Sequence, residues 1–443
     1  MEVFAFVIGV VLMVVGLAVS IALHELGHLW PAKRFGVRVG QYMIGFGPTL
    51  WSRRIGETQY GVKAIPLGGY ISMAGMYPPS PTLRQAQGPT RQGQQTAAGH
   101  GEGRAGGGFF ATMVQDARDA NDETLHGDGD TRVFYRLPIW KRIVVMLGGP
   151  LMNLLFAIVL FAILFSGIGV QTASTTVASL SECVPASSEA ACAASDPEAP
   201  AAGAGIEPGD TILSIDGQEV ADFAEASVLI QASPGEPLTL VVERDGTEET
   251  ITLVPATVAG DVVNGSSADE VGFAGIRPEY EFVPQPIWAG PQAAIENVGA
   301  VAGIIWQLPV RVWDTAVSLV TGQERDPNGP LSIVGAGRLS GEVAAAEAPI
   351  VNRISGFLSL LASLNIALFV FNMVPLLPLD GGHIAVALWE GIKRVWAKVF
   401  RRPPPKPVDA TKLVPLTFVV VIALIAMGGV LILADIFNPV SLF

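Results

Sequence analysis

His24, Glu25 and His28 fall in SIALHELGHLWPAKRF, residues 20–35, which closes an apolar run that begins at Phe4. Their spacing is HExxH. On a helix, positions i and i+4 share a face, so both imidazoles can reach one ion with the glutamate beside them. The chain has 443 residues and only five histidines, so the pattern is informative. A charged group inside a membrane span costs about 2.5–3.5 kcal/mol on insertion scales unless it is compensated. A bound cation compensates by ligating the histidines and facing the glutamate. Zinc suits such donors, and a catalytic zinc keeps three protein ligands and an open position. The competing interpretation is a pair of buried histidines and a paired carboxylate in a transporter.

A third ligand must come from elsewhere in the chain. SLNIALFVFNMVPLLPLDGGHIAVALWEGIKR carries Asp380 as its one carboxylate before Glu390. Pro375, Pro378, Gly381 and Gly382 surround it, and these residues break a helix and let backbone turn toward a site. Asp380 is the best available third ligand, with His383 as the alternative.

These residues need membrane elements to hold them. Half of the chain is hydrophobic and its mean hydropathy is +0.46, above that of an ordinary globular protein. A span needs ~20 apolar residues. Phe4–Leu23, Ile143–Val170, Ile354–Val374 and Leu413–Leu433 meet or nearly meet that length. The net charge of −13 is uneven: residues 171–350 hold 26 acidic and five basic side chains, none of them lysine. Basic clusters flank the spans at Lys33–Arg54, Arg136–Arg142 and Lys393–Arg402. The positive-inside rule puts these loops in the cytoplasm and the acidic region and both termini outside. The first span has no basic amino end and no small-x-small cleavage site, so it is expected to be retained.

Between the spans, TQYGVKAIPLGGYISM alternates between glycines and predicts strands in a hairpin-like loop. Residues 78–108 predict a disordered linker. DARDANDETLHGDGD lacks calcium-loop spacing, and His100 and His126 are expected to be bystanders. In the acidic region, PGD, DG, SPGE and RDG punctuate short β-rich runs, and DFAEASVLIQA predicts one helix. GIEPGDTILSIDGQEV resembles a PDZ domain of the circularly permuted bacterial protease type. That resemblance implies either recognition of an extended peptide at a sheet edge or a steric filter over the membrane entrance. Cys183 and Cys192, the only cysteines, are permitted a disulfide outside the cell. Residues 284–322 predict an amphipathic helix lying on the surface, or one packed under the β-rich domain.

HExxH in a first span, NMVPLLPLDGGH in a later one, and GFGP, IPLGGY and GGPLMN in order between them resemble the site-2 protease family, most closely its actinobacterial branch. The resemblance implies a zinc metalloprotease of regulated intramembrane proteolysis. His24, His28 and Asp380 would hold Zn2+, and Glu25 would be the general base. Asn372 would bond substrate backbone or oxyanion, or else satisfy backbone freed by Pro375; Asn365, seven residues earlier, would play a similar part. The strand edge at Gly68 and Gly69 would admit an extended substrate, with a plug between spans as the plainer role. Asn153 lies near the site without an assigned role. The insert carrying the two cysteines and the long linker depart from the family pattern.

The expected fold class is an α-helical polytopic membrane protein of about four transmembrane helices with an inserted, mainly β extracytoplasmic PDZ domain. Residues 1–32 form the first span, 33–77 a strand-like cytoplasmic-side loop, 78–132 a linker and 133–170 the second span. The PDZ domain takes 171–260, a post-PDZ region with an amphipathic helix 261–350, the third span 351–390, a basic loop 391–411 and the fourth span 412–435. Expected partners are the lipid bilayer, a single-span substrate resembling an anti-sigma factor already trimmed outside, and a peptide on the PDZ domain; no nucleic acid is expected. The site is expected toward the cytoplasmic side of the cell membrane. The alternative function is a non-catalytic scaffold that recruits exported partners.

Overall fold

The computed structural model describes residues 2–76, 131–184, 192, 196–260, 270–327, 329–403, 405, 408 and 410–440. The expected linker, with His100 and His126, lies outside the described residues. The chain divides into two compact units: Met1–Leu164 with Ile287–Phe443, and Phe165–Pro286.

The first unit is built on α1 (Glu2–Arg34), an apolar helix that ends on Lys33 and Arg34, cations suited to its carbonyl end. Two long strands follow, β1 (Val39–Ile55) and β2 (Thr58–Met73). They pair antiparallel and curl. Residues Gln41–Ile44 of β1 face both Gln59–Val62 and Gly69–Ser72 of β2. Among the described residues, the far half of β2 therefore has a strand partner on one side only.

Helix α2 (Ile139–Ala162), extended by a π-helical turn at Ile163–Ile168, packs along α1. The two backbones touch at Gly27 and Gly148, where a Cβ on either would collide with the other's carbonyl. This contact sets the distance from α2 to the HExxH face. Further along the chain, once α3 (Pro200–Gly203) and α4 (Phe223–Gln231) of the second unit have been passed, α5 (Ala289–Thr321) and α6 (Ile333–Ala345) precede α7 (Ile350–Asn372), α8 (Asp380–Val399) and α9 (Val414–Phe437). Seven residues separate α7 from α8. Pro375 and Pro378 deny backbone donors there, so the helix stops and restarts at Asp380.

Among the described residues, five helices are by length and composition apolar enough to cross a membrane: α1, Ile139–Ile168, α5, α7 and α9. α5 was expected as an amphipathic helix. It has 33 residues and is the least apolar of the five, because polar residues interrupt its face without shortening it. The segment expected as a basic loop from 391 is helical to Val399.

The second unit holds the β-rich region. β3 (Val170–Leu180), β4 (Thr211–Ile215), β5 (Gln218–Glu219), β6 (Leu238–Arg244) and β7 (Thr247–Leu253) are joined by β10 (Ile276–Val283) in one antiparallel sheet. The order is β10-β3-β4-β6-β7, with β5 on β4; β8 (Ala256–Ala259) pairs with β9 (Glu270–Phe273). The DG signals are realised at Asp216-Gly217 and Asp245-Gly246, both with positive φ. The short α3 (Pro200–Gly203) leads into β4, and α4 (Phe223–Gln231) is the helix predicted from DFAEASVLIQA. Asp222 caps α4 by accepting from the Glu225 N–H. Ile212, Leu240, Val242 and Leu253 fill the core. Cys183 and Cys192 are joined by a disulfide.

Candidate metal centre

Glu25 and His28 are buried, and His24 is largely so, because their helix turns that face toward α2, β2 and the start of α8. His28 Nδ1 donates to Val145 O at 2.7 Å, which leaves Nε2 free to point inward. A Cβ at Gly149 would collide with the His28 ring, so only glycine leaves room for the imidazole. His24 Nδ1 lies 3.4 Å from the side-chain nitrogen of Asn153, whose Oδ1 is buried without a hydrogen-bond partner. One helix, α2, therefore contacts the outer nitrogen of both imidazoles.

The inner nitrogens converge. His24 Nε2 and His28 Nε2 are 3.2 Å apart, and Asp380 Oδ2 lies 3.3 Å from the first and 3.4 Å from the second. A tetrahedral zinc with bonds of ~2.0–2.1 Å sets its donor atoms about 3.3–3.4 Å apart. The three separations match that edge length. Asp380 Oδ2 is also a buried acceptor without a hydrogen bond, as expected of an atom shaped for a cation. These three residues form the group of potential metal donors among the described residues. His383, the alternative third ligand, is on α8 one turn beyond Asp380 and is not in that group.

Glu25 is next to this cluster and against β2. A Cβ on Gly69 would stand 3.0 Å from Glu25 Cγ and 2.8 Å from Ile21 Cγ2, so the strand approaches the acid closely because Gly69 has no side chain. Gly68 has φ +141, a backbone that favours glycine, and bends the strand there. Asn365 is fully buried away from the cluster: its amide donates to Ser20 Oγ and to Leu361 O, tying α7 to α1 one turn before His24. Asn372 caps its own helix by donating to Leu368 O.

Sequence reasoning gave no part to Val145, no contact with His28 to Gly149 and no role to Asn153. GGPLMN entered only as a family motif, and the partners of this helix are more than 100 residues away in the chain. The Arg142–Glu390 pair, 2.9 Å apart and nearly buried between α2 and α8, gave no signal either. It holds the helix that carries Asp380.

A bundle of apolar helices enclosing two imidazoles, a carboxylate and a neighbouring glutamate defines a multi-pass membrane metallohydrolase. The model of Peptidase family M50 matches residues 12–402, and the chain belongs to that family, the site-2 proteases. It is a metalloprotease and its cofactor is zinc. The chain is 32% identical to zinc metalloprotease Rip1 of Mycobacterium tuberculosis over 455 residues, covering 99% of both chains. It is 28% identical to metalloprotease MmpA of Caulobacter vibrioides over 412 residues, covering 88% of each. A putative zinc metalloprotease of Mesorhizobium japonicum is 29% identical over 392 residues, covering 87% of this chain and 88% of that one.

Proposed function

We propose that this chain is an intramembrane endopeptidase that cuts single-span membrane proteins during regulated intramembrane proteolysis, with an anti-sigma factor already trimmed outside as substrate. The observation that carries the reading is the convergence of His24 Nε2, His28 Nε2 and Asp380 Oδ2 at zinc-donor spacing beside Glu25. Zinc held there supplies Lewis acidity for attack of water on a peptide bond near neutral pH. Glu25 takes the proton of the attacking water and returns it to the departing amine. Asn372 supports the substrate backbone, and Asn365 holds α7 in place for it.

The substrate must be extended before it is cut, since helical peptide bonds are shielded. The unpaired side of β2 around Gly68 and Gly69, close to Glu25, offers an edge for it. In the second unit, a cleft of about 680 Å³ between α4 and the edge strand β10, lined by Phe223, Ile230, Arg277 and Tyr280, supports a PDZ-type peptide site. The basic clusters support a reading with the metal toward the cytoplasm and the second unit outside. That charge pattern holds only if α5 does not cross: a fifth span would put Lys393–Arg402 on the side opposite Lys33–Arg54. α5 is also the least apolar of the five candidate spans, which supports this.

The test is Glu25→Gln in the full chain with a tagged single-span substrate. The expected outcome is normal zinc content with cleavage lost. Parent-level cleavage by this variant rules the mechanism out.

A further inference from the structure

Helix α8 is amphipathic with its faces inverted relative to a soluble helix. Its protein-facing side carries small residues and one acid: Gly382, Ala387 and Ala397 are buried with Glu390, which is 1% exposed. Glu390 accepts from Arg394 at 2.5 Å and pairs with Arg142 on α2 at 2.9 Å. Its outer side is apolar. Leu388, Trp389, Ile392, Val395, Trp396 and Val399 recur at helical spacing, and each is more than half exposed. Lys393 borders this stripe on one side and Lys398 on the other, with Arg401 and Arg402 just beyond the helix end. Among the described residues no carboxylate pairs with any of these four cations.

We infer that the outer face of α8 is a docking surface for anionic phospholipid, lying in the membrane interface with its stripe in the acyl boundary and its cations among the headgroups. A helix with a greasy face, flanking lysines and arginines, and too little overall hydropathy to cross is the form that lies on a bilayer. α8 is not among the five helices apolar enough to span, yet it joins α7 to α9, which both are. The bilayer surface is therefore at hand at both of its ends. The four cations select an anionic surface over a zwitterionic one. The first residue of α8 is Asp380, so the same rigid element touches headgroups and supplies the third donor atom. Docking then fixes the height of that donor against the membrane plane. This last consequence rests on the proposed metal site; the surface itself does not.

The test uses the purified full chain in nanodiscs of phosphatidylcholine with or without phosphatidylglycerol, one lipid at a time carrying brominated acyl chains that quench tryptophan. Subtracting the signal of Trp389→Phe/Trp396→Phe isolates the two stripe tryptophans. Both should be quenched, and more strongly by brominated phosphatidylglycerol than by brominated phosphatidylcholine. Lys393→Gln/Lys398→Gln/Arg401→Gln/Arg402→Gln should lose that preference while keeping its zinc. The parent comparison needs no substitution of the cations, so a variant that fails to fold leaves the test standing. Equal quenching by the two lipids overturns the proposal. So do stripe tryptophans shielded from both, including shielding by a second copy seen as a dimer in the nanodisc. Glu25→Gln should behave as the parent does here, whether or not the chain proves to cut a substrate.

Discussion

The amide of Asn153 on α2 stands 3.4 Å from Nδ1 of His24 on α1, across 129 residues of sequence. A histidine that gives Nε2 to a metal carries its proton on Nδ1 and needs an acceptor there. Turning the Asn153 amide over presents Oδ1 to that N–H and satisfies an oxygen otherwise buried without a partner. Val145 O already does the same for His28. Asn153→Ala should therefore weaken zinc binding by roughly 10–100-fold, the usual effect of losing an outer-shell partner. Chelator competition on the folded, purified chain checks this. Unchanged affinity would mean that Asn153 only fills space.

Gly149 and Gly69 make separable demands. A methyl at Gly149 occupies the place of the His28 ring, so Gly149→Ala should displace a ligand and lose zinc. A side chain at Gly69 meets Ile21 and Glu25 instead, away from the donor atoms. Gly69→Val should keep zinc and lose cleavage. Metal analysis beside a cleavage assay distinguishes the two, and loss of zinc in both variants would contradict the separate roles given to α2 and β2.

What was legible in the sequence follows the range of each interaction. HExxH is read locally because helix geometry alone puts residues 24 and 28 on one face. Asp380 was legible because prolines and glycines around a lone carboxylate mark a helix break. The DG turns carry their own local chemistry, and so does the alternation of residues 58–73, read as strands of a hairpin-like loop and found as the one strand β2, whose partner β1 was not read. By contrast, Asn153 reaching His24 and Arg142 reaching Glu390 depend on how helices pack, which no window of sequence contains. α5 was read as amphipathic from its spaced polar residues, and it is the least apolar of the five candidate spans. α8 was cut at residue 390 because its lysines and arginines resemble a loop, although its apolar residues keep helical spacing beyond that point.

Arg325 and Asp435 form a buried pair at 2.5 Å, their side chains 2% and 1% exposed. Asp435 also accepts from the Ser332 and Gly335 N–H groups, so the last helix caps the start of α6. Removing one partner strands a buried charge and costs about 3–5 kcal/mol, whereas replacing both with apolar residues of similar volume is often neutral or stabilising. Asp435→Leu should lower the unfolding temperature of the detergent-solubilised chain, and Arg325→Met added to it should restore much of the loss. An additive double variant would show that the pair does not interact.

In the second unit, Arg244 donates to both oxygens of Asp210 at 2.7 Å, and the Glu207 N–H adds a third bond at 2.9 Å. The Arg244 hydrogen bonds hold the Asp210 carboxyl below its ordinary value of 3.8. The group therefore prefers to be ionised in the folded state. Its stabilisation is complete above the ordinary carboxylate range and disappears as pH falls through that range to the depressed folded value. Hydrogen exchange of residues 205–215 and 238–253 in the full chain should lose protection as the pH is lowered through that window, after correction for the intrinsic exchange rate. Asp210→Asn should lower protection at neutral pH, by about 1.5–3 kcal/mol for the lost charged hydrogen bonds, and flatten the acid limb. An acid limb of parental steepness in Asp210→Asn would assign the pH dependence to another carboxylate.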